Sequence, residues 1–233
     1  MIQVQSYLEE IRQAAFEERK LLSILVDPDK FDVARASEFF QKIPKETTHI
    51  FVGGSTVKEG ETCAVVKAIK NCCSLPVVLF PGDHSQISTE ADALLFLSLI
   101  SGRNPEFLIG QQVRSVEKIK NSDLEVIPTG YILIDGGRET SVQKVSNTIP
   151  IDQKEVKQVV NTALAGQYSG KQLIYLEAGS GANFPVSSQI IRAVASSLEI
   201  PIIVGGGIRN RQQMNNAYQS GATMVVMGTA FEN

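Results

Sequence analysis

Short apolar runs rich in β-branched residues recur along the chain, at Leu21–Val26, His49–Val52, Val77–Phe80, Ala93–Leu97, Tyr131–Ile134, Leu173–Leu176, Ile202–Val204 and Met224–Met227. Each is hydrophobic almost throughout and does not alternate with polar residues. That is the pattern of strands covered on both faces, as in a parallel sheet under helices. Helical periodicity fills most of the intervals, at Asp32–Ile43, Glu61–Asn71, Pro105–Lys120, Gln153–Ala165, Val186–Leu198 and Arg209–Gln219. Eight strands separated by helices in 233 residues is the arithmetic of a (β/α)8 TIM barrel. A doubly wound open sheet is the rival reading. It usually has fewer strands, and it does not call for the glycine-rich turns that close the last three units here.

Two places break the alternation. Only twelve residues, Pro81 to Asp92, join the third strand to the fourth, and a crossover helix with its loops barely fits there. The third helix is therefore expected to be replaced by a loop. The resulting gap in the outer ring is either a groove for an elongated apolar ligand or a short turn covered by its neighbours. After the eighth strand the chain runs only from Gly228 to Asn233, so the last helix is expected to be absent. No linker or composition shift divides the sequence, which reads as a single TIM-barrel domain over 1–233.

Composition narrows the function. With 43% hydrophobic and 20% charged residues the chain supports a packed core and is not disordered. A net charge of −3 gives no global field to gather nucleic acid or anionic lipid. No run approaches a membrane span, and the charged N-terminal segment Met1–Lys20 lacks the unbroken apolar core of a signal peptide. Stable membrane insertion is not expected, and a cytoplasmic location is. Cys63, Cys72 and Cys73 are odd in number and lack zinc spacing. They are expected to be buried, reduced thiols.

In a barrel the carboxyl ends of the strands carry the chemistry. Gly179-Ser180-Gly181 follows strand 6, Gly205-Gly206-Gly207 follows strand 7, and Gly228-Thr229 follows strand 8. Glycine turns let backbone amides approach an anion, and the helix N-termini behind them favour negative charge. Three in succession predict a phosphate site. Glu177 lies within the first turn, where like charge disfavours a carboxylate unless it holds and deprotonates a substrate hydroxyl. Tyr175 points to the same side of its strand, either to touch ligand or to cap a barrel layer. Across the mouth stand Asp27, after strand 1, and the hydroxyls of Ser55 and Thr56, after strand 2. One carboxylate with a hydroxyl is too sparse for an all-protein metal cage. It suits Mg²⁺, which keeps waters and draws its other ligands from substrate phosphates.

Taken together, Asp27-Pro28, Phe51-Val52-Gly53-Gly54-Ser55, Phe80-Pro81-Gly82, the run from Tyr175 to Gly181, Val204 to Ile208, and Gly228-Thr229 resemble the geranylgeranylglyceryl phosphate synthases. The resemblance spans Asp27 to Thr229. It implies a TIM barrel whose third helix is a loop, and transfer of a geranylgeranyl group from its diphosphate to the C3 hydroxyl of sn-glycerol 1-phosphate, with Mg²⁺ required. It further implies that Tyr175, Leu176, Glu177, Ala178, Gly179, Ser180, Gly181, Gly205, Gly206, Gly228 and Thr229 contact glycerol 1-phosphate. Glu177 would be the catalytic residue, and Asp27 with Ser55, or Thr56 in its place, would be metal-associated. The related heptaprenylglyceryl phosphate synthases differ after the shared Tyr-Leu-Glu, and Ala178-Gly179-Ser180-Gly181 sides with the C20 enzymes. The chain's abrupt end departs from the family, whose members continue into a last helix.

Three alternatives stay open on the residues: a longer prenyl donor, a phosphosugar isomerase or lyase with similar late glycine turns, and a non-catalytic phosphate-binding barrel. Phe107, Leu108, Ile109 and Val113 either face the barrel or form the subunit interface of an expected homo-oligomer.

Overall fold

The computed structural model describes residues 6–228. Strands β1 (Leu21–Val26), β2 (His49–Val52), β3 (Val77–Leu79), β4 (Ala93–Leu99), β5 (Glu125–Leu133), β6 (Leu173–Glu177), β7 (Ile202–Gly205) and β8 (Met224–Met227) follow one another in sequence order. They close into a parallel barrel, with β8 returning to pair with β1 in the register Leu21↔Met224. The helices are α1 (Tyr7–Phe16), α2 (Ala36–Lys42), α3 (Glu61–Cys72), α4 (Gln111–Lys120), α5 (Ser141–Ser146), α6 (Val156–Tyr168), α7 (Ser188–Ala195) and α8 (Arg211–Gln219). The (β/α)8 expectation holds.

Alternation along each strand divides the apolar residues into two packed sets. Leu21, Phe51, Val78, Leu95, Tyr175 and Met224 pack inside the barrel. Leu22, Ile50, Leu79, Leu94, Leu176 and Val204 pack outward under the helices. That is why the strands read as continuous hydrophobic runs. Between β3 and β4 there is no helix of ordinary length, only the single 3-10 turn His84–Gln86.

Several expectations on the elements need correction. β5 begins at Glu125 and not at Tyr131. Pro128 and Gly130 interrupt its apolar run, yet both keep their place in the ladder, opposite Phe96 and Ser98. The helix expected over Pro105–Lys120 opens with a π turn, Glu106–Gly110. That over Val186–Leu198 contracts to Ser188–Ala195, because Ser187 caps it by accepting from the Ile190 amide. The thiols are free but not buried: Cys72 is exposed and Cys63 and Cys73 are half-buried. The inner face of α3 is taken by Thr62, Val65, Val66 and Ile69. Ile109 and Val113 are exposed, whereas Phe107 packs toward the barrel interior. No helix among the described residues is long and apolar enough to cross a membrane. Thr229, and with it the expectation about a last helix, lies outside the described residues.

The sequence reading assigned no helix to residues 7–16, and α1 serves as the barrel's floor. Ile11 and Ala14 plug the inner core from the amino end of the strands. The start of α1 is held by Glu125 at the foot of β5, whose carboxylate accepts from Ser6 Oγ (2.8 Å) and from the amides of Tyr7 (2.6 Å) and Leu8 (3.0 Å). A carboxylate at a helix N-terminus satisfies orphan donors and complements the dipole. Removing it in Glu125→Ala should cost about 2 kcal/mol, a drop of roughly 4–8 °C in Tm for a chain of this size. Amide exchange in α1 should rise with it. A variant that melts within a degree of the wild type would show that this contact does not hold the floor.

Candidate active site

At the carboxyl end of the strands one cavity of about 340 Å³ opens. Its rim is built from opposite sides of the barrel. Asp27, Gly54 and Ser55 line it after β1 and β2, and Ser180, Gly181, Gly206 and Gly207 line it after β6 and β7. Sequence reading placed two anion sites across one mouth, and the fold brings those residues to a single space.

Glu177 ends β6, is 5% exposed, and turns inward with Tyr175. Its Oε1 accepts from the amide of Gly179 at 2.6 Å. A Cβ at Gly206, where φ is +79°, would collide with that same oxygen, so this position has to be glycine for the carboxylate to fit. Burial raises the Glu177 pKa to about 7, with the Gly179 amide and the Tyr175 hydroxyl holding it down only in part. A carboxyl group poised near neutrality can accept a proton and release it again. The Tyr175 hydroxyl is buried beside the Glu177 carboxylate. It faces the cavity beside Glu177, and burial, with the neighbouring carboxylate, raises its pKa well above normal.

The glycine turns present unused donors. Among the described residues the amides of Ser180, Gly181, Gly206 and Gly207 donate to no protein acceptor. Gly179, Gly181, Gly206 and Gly207 all adopt positive φ, the conformation that tips successive amides into a concave nest for an anion. Two guanidinium groups brace this turn. Arg209 donates to the carbonyl of Ala182 (2.5 Å) and Arg138 to that of Gly181 (3.2 Å). The sequence pattern assigns neither arginine a role, although Arg209 comes two residues after the glycine run; Arg138 comes from another loop.

Not every residue of the Tyr175–Gly181 run reaches the cavity. Leu176 packs outward under the helices, as does Ala178, whose amide is engaged by the Gly205 carbonyl (3.1 Å). Gly205 itself leaves room for the Tyr175 hydroxyl and the second Glu177 oxygen. Gly228 lines the cavity.

On the opposite rim Asp27 Oδ1 accepts from the Asp29 amide at 3.2 Å, and Oδ2 lies 3.1 Å from Lys30 Nζ. Ser55 and Thr56 both line the cavity. No group of three or more His, Cys, Asp or Glu gathers into a metal cage among the described residues. The donor set is one carboxylate with neighbouring hydroxyls, which fits a hydrated Mg²⁺ that takes further ligands from a diphosphate.

Below the rim lies a stack of rings that sequence reading missed. Phe80 stacks on Tyr175 (5.0 Å between centroids) and Tyr131 on Tyr175 (5.5 Å), with Phe51 beneath Phe80 at 6.3 Å. The only signal in the sequence was their inward parity on β2, β5 and β6. The cavity then leaves the mouth beside β4, where Ile87, Leu94, Phe96 and Ser115 line an apolar groove between the short 3-10 turn and α4.

The model of the PcrB family matches residues 14–233. A geranylgeranylglyceryl phosphate synthase of Zunongwangia profunda is 54% identical over 226 residues, covering 97% of each chain. One of Pyrococcus furiosus is 43% identical, covering 93% of this chain and 86% of its own. Among solved structures, the (S)-3-O-geranylgeranylglyceryl phosphate synthase of Thermoplasma acidophilum, in complex with substrate sn-glycerol-1-phosphate, superposes with a TM-score of 0.90 at 34% identity. The match covers 98% of this chain and 92% of that one.

A carboxylate kept in a dry site opposes folding once it must ionise. Glu177→Gln keeps the acceptor for the Gly179 amide and removes the charge. Because the folded pKa is raised, the penalty is absent below the unfolded carboxyl value of about 4 and complete above about 7. The variant should therefore melt several degrees above the wild type at pH 8, for a gain of up to about 3 kcal/mol, and level with it near pH 4. Equal melting at pH 8 would mean that Glu177 is not strained by its burial.

Proposed function

The chain belongs to the PcrB family, and on that premise we propose that it is a prenyltransferase joining a geranylgeranyl group to the C3 hydroxyl of sn-glycerol 1-phosphate. The observation that carries this reading is the single cavity, which joins a glycine nest, a buried carboxylate, an acidic rim with hydroxyls and an apolar groove. A phosphosugar isomerase has no use for the groove, and a simple phosphate-binding barrel has none for a buried acid.

The free amides of Ser180, Gly181, Gly206 and Gly207 bind the phosphate of glycerol 1-phosphate, with the positive charge of Arg209 beside them. Tyr175 and Glu177 take the substrate hydroxyls, and the second Glu177 oxygen, which the Gly179 amide does not engage, accepts the C3 proton. As the hydroxyl oxygen bonds to C1 of the prenyl chain, the C1–O bond to the diphosphate breaks and the electron pair leaves with that group. The stacked rings of Phe80 and Tyr175 give the reacting centre a rigid apolar floor. Asp27, with Ser55 or Thr56, would hold Mg²⁺, which neutralises the departing diphosphate. Most of the acceleration comes from positioning two anions that would otherwise repel. The prenyl tail lies in the groove beside β4, where each buried methylene adds about 0.8 kcal/mol before the costs of binding.

The direct test is product formation from geranylgeranyl diphosphate and sn-glycerol 1-phosphate, with Mg²⁺ and with a chelator. Wild-type turnover is expected only with the metal. Glu177→Gln should lose ~10²-fold or more in kcat while the prenyl donor still binds. In the wild type kcat should fall as pH drops below about 7, when Glu177 becomes protonated, and the variant should lack that limb. A variant retaining near wild-type kcat would remove Glu177 from proton transfer.

Ser115 is 4% exposed and is a small side chain on the α4 wall of the groove. Filling that space in Ser115→Trp should shift the ranking of kcat/KM from the C20 donor toward C10 and C15 by ~10-fold or more, since each lost methylene contact counts at the rate given above. An unchanged ranking among C10, C15, C20 and C35 diphosphates would place the tail elsewhere.

A further inference from the structure

The twelve residues that stand in for the third helix do more than open a groove. Gln86, the last residue of their 3-10 turn, is 2% exposed, an unusual place for a primary amide, and both ends of its side chain are used. Nε2 donates to the carbonyl of Gly54 at 3.0 Å, and Oε1 accepts from the amide of Gly82 at 3.0 Å. One side chain thus bridges the loop after β2 to the loop after β3.

Those loops already crowd each other. A Cβ at Gly82 would collide with the Gly54 carbonyl and lie 3.0 Å from that of Ser55, and a Cβ at Gly54 would lie 2.9 Å from Asp27 Oδ1. Gln86 therefore fixes the peptide that sets where Ser55 stands relative to Asp27. The same turn is tied to α4, where the His84 amide donates to Gln111 Oε1 at 2.9 Å. Its neighbours His84 and Ile87 line the groove.

We propose that Gln86 is a positioning residue for the diphosphate half of the site. It clamps the Gly54–Ser55 loop beside Asp27 and links that rim to the segment forming the groove wall. The inference rests on the reading of the Asp27 rim as the diphosphate site. Gln86 touches neither substrate, and the glycine nest after β6 and β7 is built without it. Its loss should be felt by one anion and not by the other.

Gln86→Met keeps the length of the side chain and removes both hydrogen bonds. Gly82→Ala forces the same two loops apart and crowds Gln86 Nε2, which would lie 3.0 Å from the added Cβ. Calorimetric titrations of the full chain with Mg²⁺ and inorganic pyrophosphate, and separately with sn-glycerol 1-phosphate, read the two halves independently. In both variants the pyrophosphate Kd should rise ~10-fold while that for glycerol phosphate stays within ~2-fold, and the KM for prenyl diphosphate should rise with kcat falling less. A variant that melts like the wild type and binds pyrophosphate as tightly, or one that loses both ligands equally, overturns the role of Gln86. Absence of pyrophosphate binding by the wild type overturns the reading of the rim, and this inference with it.

Discussion

A carboxylate held out of water at the end of β6 organises the mouth of this barrel. Glu177 ionises against its burial, and among the described residues its compensation comes from the Gly179 amide and the Tyr175 hydroxyl. Space for it exists because Gly205 and Gly206 lack side chains. The glycines after β7 thus serve the acid of the neighbouring strand as much as any anion. Such a site trades folding stability for a group whose pKa sits near its working range.

The same constraint separates the charges. In the proposed reading the phosphate sits beside the carboxylate on the unpaired amides of the turns after β6 and β7, with the guanidinium of Arg209 against the same turn. In the proposed reading the second anion meets the far rim, where Asp27 is already partnered by Lys30. Barrel closure sets the spacing: β2 and β6 lie four strands apart in an eight-stranded ring.

Much of this was legible in the chain. β1, β2 and β8 carry the bounds expected from their apolar runs, because both faces of each strand are buried. The glycine turns, Glu177, Tyr175 and Asp27 were readable because strand ends in a barrel converge on one mouth. What escaped was what no local pattern encodes. Pro128 and Gly130 masked the first two thirds of β5, since their places in the ladder are set by partners on β4 and β6. The role of α1 depends on Glu125, more than a hundred residues away. Leu176 sits within the most specific motif, yet strand parity turns it away from the cavity. Arg138 and Gln86 act through loop carbonyls that only the folded chain brings near.

The proposed mechanism requires two anion sites that face each other across one cavity with Glu177 between them. A crystal structure of the chain soaked with sn-glycerol 1-phosphate, Mg²⁺ and pyrophosphate tests it most directly. It should show the phosphate against the amides of Ser180, Gly181, Gly206 and Gly207, a hydroxyl on Glu177, and the pyrophosphate at Asp27 and Ser55. Both anions crowded onto the glycine turns, or glycerol phosphate bound with its hydroxyls away from Glu177, would contradict it.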